Sequence, residues 1–323
     1  KQNNFFNTYL CLVIFILGFA MASFAVADEV SCSSDSTAVN CGLTINGDDT
    51  ATINANITLS SGDAALYLNS ANNIINMTGD ILTTGTSVEG IGFGGGATNN
   101  TITLDGDITT TCASGGGSNC FGINIGGDSN TLTMTGDVSA AGSIARGLWI
   151  SGDSNTVSLT GDITSSNDRG IIFYGDQNNV TTVGNILAGA KGIDHYGSTG
   201  NTIKHTGNIT TTLVNGFGAT TGNDNTLTII GNIITTNDSN FGFLNGGNAN
   251  TTTTITGNIS GAGQYGYQIY SDESATGTTT TVNGHLIGSG DQTHNMYLKT
   301  DSNTYTINGN LSQTNTSGVS AMN

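Results

Sequence analysis

Two histidines, His195 and His205, are the side chains whose types and places come closest to forming a chemical site. Each replaces an apolar residue in a short alternating segment, so both are expected to point inward from neighbouring walls of the fold. Two inward imidazoles that meet could bind a metal ion or titrate together. A neutral, hydrogen-bonded pair, or a local change of register, would produce the same pattern.

Other catalytic patterns are weak. Gly-Asp-Ser at 127–129 and 152–154 matches a motif of one esterase class, but these residue types favour turns and no histidine lies nearby in sequence. Carbohydrate-cleaving enzymes need clustered carboxylates, and such clusters are often accompanied by Lys or Arg. Basic residues are few and scattered here, so we predict no catalytic residue, no enzyme activity and no cofactor. After the leader they are Arg146, Arg169, Lys191, Lys204 and Lys299.

The cysteines that follow the leader form two close pairs, Cys32/Cys41 and Cys112/Cys120. An even number of closely paired cysteines in an exported chain predicts disulfides, each closing a short loop. A metal site is the alternative. It is disfavoured because no Cys-x-x-Cys spacing occurs and no histidine lies near either pair.

The first 27 residues have the pattern of a secretory signal peptide. Lys1 precedes an apolar run at 9–20, and Ala-Val-Ala at 25–27 provides a small-x-small cleavage site. An N-terminal anchor helix is the alternative, but the run is short for a membrane span. We therefore divide the chain into a signal peptide at 1–27, an N-terminal cap at 28–48 that contains Cys32 and Cys41, and a repeat domain at 49–323. We expect this domain to be truncated at its C-terminus.

The chain is strongly acidic, with 23 Asp and Glu against 6 Lys and Arg and a net charge of −17. Such a surface repels nucleic acids and anionic lipids, so no nucleic-acid partner is expected. Charged residues nevertheless make up only 9% of the chain, too few for a disordered acidic tail. The composition indicates a folded, thin-cored domain.

A tripeptide of Gly, then Asp or Asn, then an aliphatic residue recurs about every 25 residues. Three short segments with alternating apolar residues surround each copy, bounded by Gly, Asn and Asp clusters that are typical of turns. A unit of this length cannot bury its own apolar face, so successive units must stack. The aliphatic residues expected to point inward include Ile108, Val138, Ile163, Ile209 and Ile233.

These features predict an all-β fold: a single-stranded parallel β-helix, or β-solenoid, of about eleven coils with three strands per coil. The period is too short for a propeller blade, which makes a propeller or sandwich the weaker alternative. Asparagines recur just before the first strand of many coils and are expected to form a stacked amide ladder. These asparagines are Asn73, Asn100, Asn130, Asn155, Asn201, Asn225 and Asn303.

Two outward surfaces are candidates for binding. Trp149 and Ile172 occupy equivalent places in consecutive coils, so they are expected to form an exposed apolar patch. On the first strand, Thr131, Thr133 and Thr135 belong to an array of outward threonines. Such arrays resemble the ice-binding faces of solenoid antifreeze proteins, although Thr is also a common exposed strand residue.

The leader, the early cysteine pair and the repeats of the form N-T-[ILV]-T-[ILM]-x-G-[DN]-[IV] resemble the β-helix passenger domains of Gram-negative autotransporters, which use type V secretion. The resemblance implies an exported chain that is displayed on the cell surface by a C-terminal outer-membrane barrel. No barrel sequence follows the repeats, so it is expected in a missing C-terminal part.

The sequence and this resemblance together predict an adhesin-like or structural binding surface. Its expected partner is an extracellular, host or neighbouring-cell ligand, and a glycan is one candidate. A carbohydrate-active enzyme and a threonine-array ice binder are the alternatives.

Overall fold

The computed structural model describes residues 30–33, 42–47, 50–54, 56–60, 63–113, 119–246, 249–299 and 302–314. These residues form three long β-sheets in which nearly every neighbouring pair of strands is parallel. Each coil contributes one strand to each sheet, which confirms the predicted solenoid. The described residues contain no helix with the length and apolarity needed to cross a membrane.

The first sheet contains the strand that precedes each Gly-Asp/Asn tripeptide. Its inward places hold apolar residues such as Leu132 and Met134, both buried, while the residues between them face outward. This alternation fits a sheet with one face in the core. Its eleven strands are β3 (Thr50–Asn54), β6 (Ile74–Thr78), β9 (Thr101–Asp105), β12 (Thr131–Thr135), β15 (Thr156–Thr160), β18 (Asn179–Val183), β21 (Thr202–Thr206), β24 (Thr226–Ile230), β27 (Thr252–Thr256), β30 (Thr279–Asn283) and β33 (Thr304–Ile307).

The second sheet begins at the aliphatic residue of the tripeptide. Ile108, Val138 and Ile163 are in register in consecutive coils and buried, as are Ile209 and Ile233, so the predicted inward column is confirmed. Its eleven strands are β4 (Ile57–Leu59), β7 (Ile81–Gly85), β10 (Ile108–Cys112), β13 (Val138–Ala141), β16 (Ile163–Ser165), β19 (Ile186–Ala188), β22 (Ile209–Thr211), β25 (Ile233–Thr235), β28 (Ile259–Gly261), β31 (Leu286–Gly288) and β34 (Leu311–Gln313).

The third sheet closes each coil and carries the candidate site. At its N-terminal edge the first strand pairs antiparallel with the second, which ends the parallel stack within the region predicted to be a cap. Its twelve strands are β1 (Val30–Ser33), β2 (Gly42–Ile45), β5 (Ala64–Leu68), β8 (Val88–Phe93), β11 (Asn119–Ile125), β14 (Ile144–Ile150), β17 (Arg169–Phe173), β20 (Lys191–His195), β23 (Phe217–Thr220), β26 (Phe241–Asn245), β29 (Tyr267–Ser271) and β32 (His294–Leu298).

An asparagine ladder runs through the corner between the third and first sheets. Asn100 accepts a hydrogen bond from the backbone N–H of Asn73 at 2.8 Å, and Asn130 accepts one from Asn100 at 2.9 Å. The same bond continues through Asn155, Asn178, Asn201 and Asn225. The left-handed φ falls on the residue before each ladder asparagine, as at Asn72 (φ 62°) and Ser129 (φ 58°), and not on the ladder asparagine itself. The predicted ladder is present from Asn73 to Asn225, and Asn178 is a member that the sequence pattern missed. Asn303 lies apart from it and accepts the backbone N–H of Thr278.

A second ladder follows the tripeptide itself. The side chain of Asp80 accepts the backbone N–H of Asp107 at 3.0 Å, and that of Asp107 accepts the N–H of Asp137 at 2.8 Å. Asp or Asn is therefore favoured at this place because its side chain satisfies the backbone N–H of the next coil. The ladder continues through Asp162, Asn185, Asn208, Asn232, Asn258, His285 and Asn310.

The structure joins Cys112 and Cys120 by a disulfide, with Cα atoms 5.8 Å apart. The two residues close a short loop between β10 and β11 and are buried with Val88, Ala140 and Ala145. The other predicted bridge joins Cys32 to Cys41, and Cys41 lies outside the described residues. The predicted signal peptide also lies outside them.

Replacing Cys112 and Cys120 together by Ala should lower the free energy of unfolding by about 2–3 kcal/mol, since the bridge limits the freedom of the unfolded loop. The measurement is the denaturant midpoint of the variant beside that of the parent chain, with and without reductant. Reductant should shift the parent chain by this amount more than the variant, which keeps the predicted Cys32–Cys41 bridge. Free thiols at both positions in exported protein, detected by alkylation and mass analysis, would contradict the bridge.

Candidate functional site

The outward face of the third sheet concentrates the basic residues of this acidic chain. Arg146, Arg169 and Lys191 lie at equivalent places in consecutive coils, one coil being 23 or 22 residues long here. Lys299 lies just after the last strand of the same sheet, whereas Lys204 projects from the first sheet. The sequence showed these five residues as scattered, but the register brings three of them into one column.

Two carboxylates tie this cationic column together. Asp168 accepts Arg146 Nε at 2.8 Å and Arg169 Nη1 at 2.8 Å. Asp194 accepts Arg169 Nε at 2.6 Å and Lys191 Nζ at 3.0 Å. Three cations thus face two carboxylates, and the cluster keeps one net positive charge.

Asp194 lies at the floor of this cluster and is 2% exposed. It also accepts the hydroxyl of Thr220 at 2.9 Å. Burial alone would raise the pKa of Asp194, but the ion pairs with Lys191 and Arg169 outweigh it and hold that pKa below its usual value. The carboxylate is therefore ionised at neutral pH and fully engaged.

Aromatic rings run along the same face beside the cluster, one in each of its three coils. Trp149 stacks on Tyr174 with ring centroids 4.8 Å apart, and Tyr196 follows Tyr174 at 5.0 Å. The Arg146 guanidinium lies 4.1 Å from the centre of the Trp149 ring, a cation–π contact. Tyr196 ends the row and is 58% exposed, so one side of its ring remains open.

A second group of rings lies on the C-terminal side. Phe217 stacks on Phe241 at 4.9 Å, Phe241 stacks on Tyr267 at 5.5 Å, and Tyr270 stacks on Tyr297 at 5.4 Å. These rings are half-buried and form two parallel rows on the sheet. The sequence analysis named Trp149 as a surface residue but predicted neither group of stacked rings, although their one-coil spacing was a signal that could have revealed them.

A groove of about 410 Å³ separates the two aromatic groups. Its floor is Asp194 and Thr220, and its lining includes Tyr196, Lys191, Asn223 and Leu244. The groove exists because the outward column of the third sheet holds the smaller, polar side chains of Asp194 and Thr220 at this point. Bulky side chains fill the same column in the coils on either side, namely Trp149, Ile172, Leu244 and Tyr270. Tyr196 and Leu244 provide apolar surface, and most of the other lining side chains are polar.

The predicted exposed patch at Trp149 and Ile172 is only partly correct. The two residues are in register, as expected. However, Ile172 is 0% exposed, because the register places it between the bulky Trp149 and the ion-paired Asp194. The prediction that Ile172 is exposed is therefore wrong, and Trp149 is half-buried under Arg146.

The two candidate metal-binding histidines point inward at the predicted places but have separate partners. His195 belongs to the third sheet, stacks on Phe173 with centroids 4.8 Å apart, and its Nδ1 lies 2.8 Å from the Thr220 carbonyl oxygen. His205 belongs to the first sheet, and its Nδ1 lies 2.8 Å from the Thr182 hydroxyl. Within the described ranges no three His, Cys, Asp or Glu side chains are grouped to hold a metal ion. Burial lowers the pKa of each histidine to about 4, so both are neutral at pH 7.

The predicted threonine array is in register on the first sheet. Thr131 and Thr133 pair with Thr101 and Thr103 of the coil before, and Thr135 pairs with Asp105. Asn179 and Lys204 divide the array into two blocks. Ice binding by these blocks stays a prediction.

No family model and no curated protein matches this chain. Among solved structures, the chain is similar to the Dettilon tailspike protein, with 13% identity and a TM-score of 0.42 over 83% of this chain and 61% of that one. It is also similar to the A-module of the Azotobacter vinelandii mannuronan C-5 epimerase AlgE6, with 12% identity and a TM-score of 0.32 over 87% and 90% of the two chains. The present chain thus spans less than two thirds of the tailspike chain. Because both the identities and the TM-scores are low, these similarities give no information about the substrate or activity of this chain.

Proposed function

We propose that this chain is a non-catalytic binding protein that holds a glycan against the outer face of its third sheet. The observation that carries the proposal is the groove between the two aromatic groups, with Tyr196 on one wall, Leu244 on the other and a polar floor. A rigid solenoid supports every one of these side chains on a strand or at a strand end. The site needs no rearrangement to receive a ligand.

The chemistry of the lining favours a sugar over a purely apolar ligand. A sugar ring has apolar C–H faces that can pack on an aromatic side chain such as Tyr196, and hydroxyls that need hydrogen-bond partners. Hydrogen-bonding groups of Lys191, Thr221 and Asn223 also line the groove. A ligand with both kinds of surface satisfies both kinds of lining.

The state of the carboxylates supports binding without hydrolysis. Glycosidases require two carboxyl groups on either side of the scissile bond, one of them protonated to act as an acid. Asp194 is the carboxylate in the groove lining, and its cationic partners hold it in the ionised form. It therefore serves to position Lys191 and Thr220, which touch it directly.

The proposal includes the location of the protein. An exported passenger displayed by an outer-membrane barrel would present this face to glycans of a host or neighbouring cell. The signal-peptide pattern of residues 1–27 and the predicted disulfides support export.

Replacing Tyr196 by Ala should weaken glycan binding at least tenfold, because aromatic side chains that pack at the centre of a contact supply much of its energy. The measurement is capture on a glycan array, followed by titration of the sugar that gives the strongest signal. Tyr265→Ala provides the matched control: Tyr265 is 53% exposed but lies outside the groove lining. Equal losses of glycan binding in the two variants, or no loss in either, would show that the groove is not the binding site.

A further inference from the structure

The column of cations beside the groove gives information about the ligand that the Tyr196 and Leu244 walls do not. The chain as a whole has a net charge of −17, yet three of its six basic residues lie in consecutive coils at this one place. Asp168 and Asp194 neutralise two of the three charges. A residual positive charge at a groove on so acidic a surface is a local feature of that groove.

Lys191 is the cation that lines the groove itself. Its Nζ donates to both oxygens of Asp194 at 3.0 Å and lies 5.0 Å from the centre of the Phe217 ring. An ammonium group has three N–H donors, so one remains after Asp194 has accepted two. The side chain is 21% exposed, and the remaining donor can therefore reach a bound molecule.

The acidic ladder at the adjacent corner loses its charge where the groove begins. In successive coils, Asp128 accepts the N–H of Asp153 at 2.8 Å, and Asp153 accepts that of Asp176 at 2.7 Å. The next two members of the column are Thr199 and Asn223, both neutral. At the ladder position itself, an anion at the groove thus meets uncharged side chains where the preceding coils present carboxylates, although Asp224 follows Asn223 at the same corner.

We infer that the groove binds a carboxylate-bearing sugar unit, its carboxylate on Lys191 Nζ and its ring against Tyr196. This inference rests on the proposed glycan-binding function and names the chemical class of the ligand. A charge-assisted hydrogen bond to an ammonium is stronger than a bond between neutral groups. The neighbouring Asp194 keeps the ammonium in place from below, because its two oxygens hold it at equal distances.

A pair of probes with the same sugar backbone separates charge from shape. The probes are a trisaccharide of galacturonate and its methyl ester, titrated into the whole exported chain at 0.15 M salt, where the Debye length of about 8 Å limits repulsion from distant carboxylates. The acid should bind at least tenfold more tightly than the ester. Equal affinity for acid and ester would overturn the inference, as would no binding of either.

Variants then locate the charge preference. Lys191→Met should reduce the affinity for the acid to that for the ester, whereas Lys191→Arg should keep the preference. Lys204→Met removes the same charge from the outer face of the first sheet and should change neither affinity. A preference for the acid that survives in Lys191→Met would contradict the assignment. The comparison of acid and ester on the unaltered chain needs no variant, so it decides the inference even if Lys191→Met fails to fold.

The test also separates the two proposals. If acid and ester bind equally and Tyr196→Ala weakens both, the glycan-binding groove stands and its preference for a carboxylate is wrong. If a glycan array gives no ligand that depends on Tyr196, the proposed function itself fails.

Discussion

Replacing Gly207 by Ala should destabilise the solenoid by on the order of 3–5 kcal/mol, through steric overlap and backbone strain together. Gly207 has a φ of +143°, a region that residues with a Cβ rarely adopt. An added Cβ would overlap the carbonyl oxygen of Gly184, which is the equivalent glycine of the coil before. The overlap is with backbone, so no side-chain rotation relieves it.

Gly95→Ala is the matched control, because a Cβ at that position meets nothing within 4 Å. Its effect should stay within about 0.5 kcal/mol, the range of ordinary surface substitutions. The measurement is the free energy of unfolding in denaturant for both variants and the parent chain. Similar values for Gly207→Ala and Gly95→Ala would show that the glycine column is not packed as described.

The second large effect is a loss of folding stability as the pH is lowered from 7 to 5. His195 and His205 titrate near 6.5 in an unfolded chain but have pKa values of about 4 in the fold, because burial disfavours their charged forms. Between these values the unfolded chain binds more protons, so the free energy of unfolding falls as the pH is lowered from 6.5 toward 4. Between pH 7 and pH 5 the two histidines together should lower it by about 3–4 kcal/mol.

Glu89 acts in the opposite direction over the same range. Burial raises the pKa of Glu89 to about 7, so the folded chain holds this proton while the unfolded chain releases it above 4.5. Its contribution to stability is complete below 4.5 and is lost as the pH rises through 7. It should offset about 2 kcal/mol of the histidine effect between pH 7 and pH 5. Since the two histidines outweigh one carboxyl, the parent chain should be less stable at pH 5 than at pH 7.

The double variant His195→Phe, His205→Leu tests this assignment. Phe matches Phe173 and Leu matches Ile229 in the adjacent coils, so both replacements suit their columns. The variant should be more stable at pH 5 than at pH 7, because only the Glu89 effect remains in this range. Denaturant midpoints at the two pH values provide the measurement. A pH dependence identical to that of the parent chain would mean that the histidines do not remain neutral in the fold.

The fold was predictable because its information repeats in every coil. The Gly-Asp/Asn-aliphatic tripeptide marks three consecutive places with distinct requirements: a positive φ at Gly207, a ladder acceptor at Asn208 and an inward aliphatic at Ile209. Each requirement limits the residue types strongly. Eleven copies, counting the variants at 55–57 and 284–286, therefore predicted the register from the sequence alone.

The groove was not predictable because it depends on differences between coils. The alternating pattern correctly placed Ile172 on the outward side, but outward does not mean exposed when Trp149 and Asp194 flank it. Likewise, the basic residues looked scattered until the register aligned Arg169 with Lys191. Aligning the repeats coil by coil would have revealed this column, because equivalent places in successive coils are neighbours in the sheet.

A saturation-transfer NMR experiment can show whether the groove at Tyr196 holds a sugar without cleaving it. The glycan with the strongest array signal is mixed with the exported chain, and magnetisation transfer to the sugar protons is recorded over several hours beside a Tyr196→Ala sample. We expect strong transfer to the ring protons, its loss in Tyr196→Ala, and a sugar spectrum that does not change with time. Undiminished transfer in Tyr196→Ala would remove the groove as the binding site, and new anomeric signals would show that the chain is an enzyme.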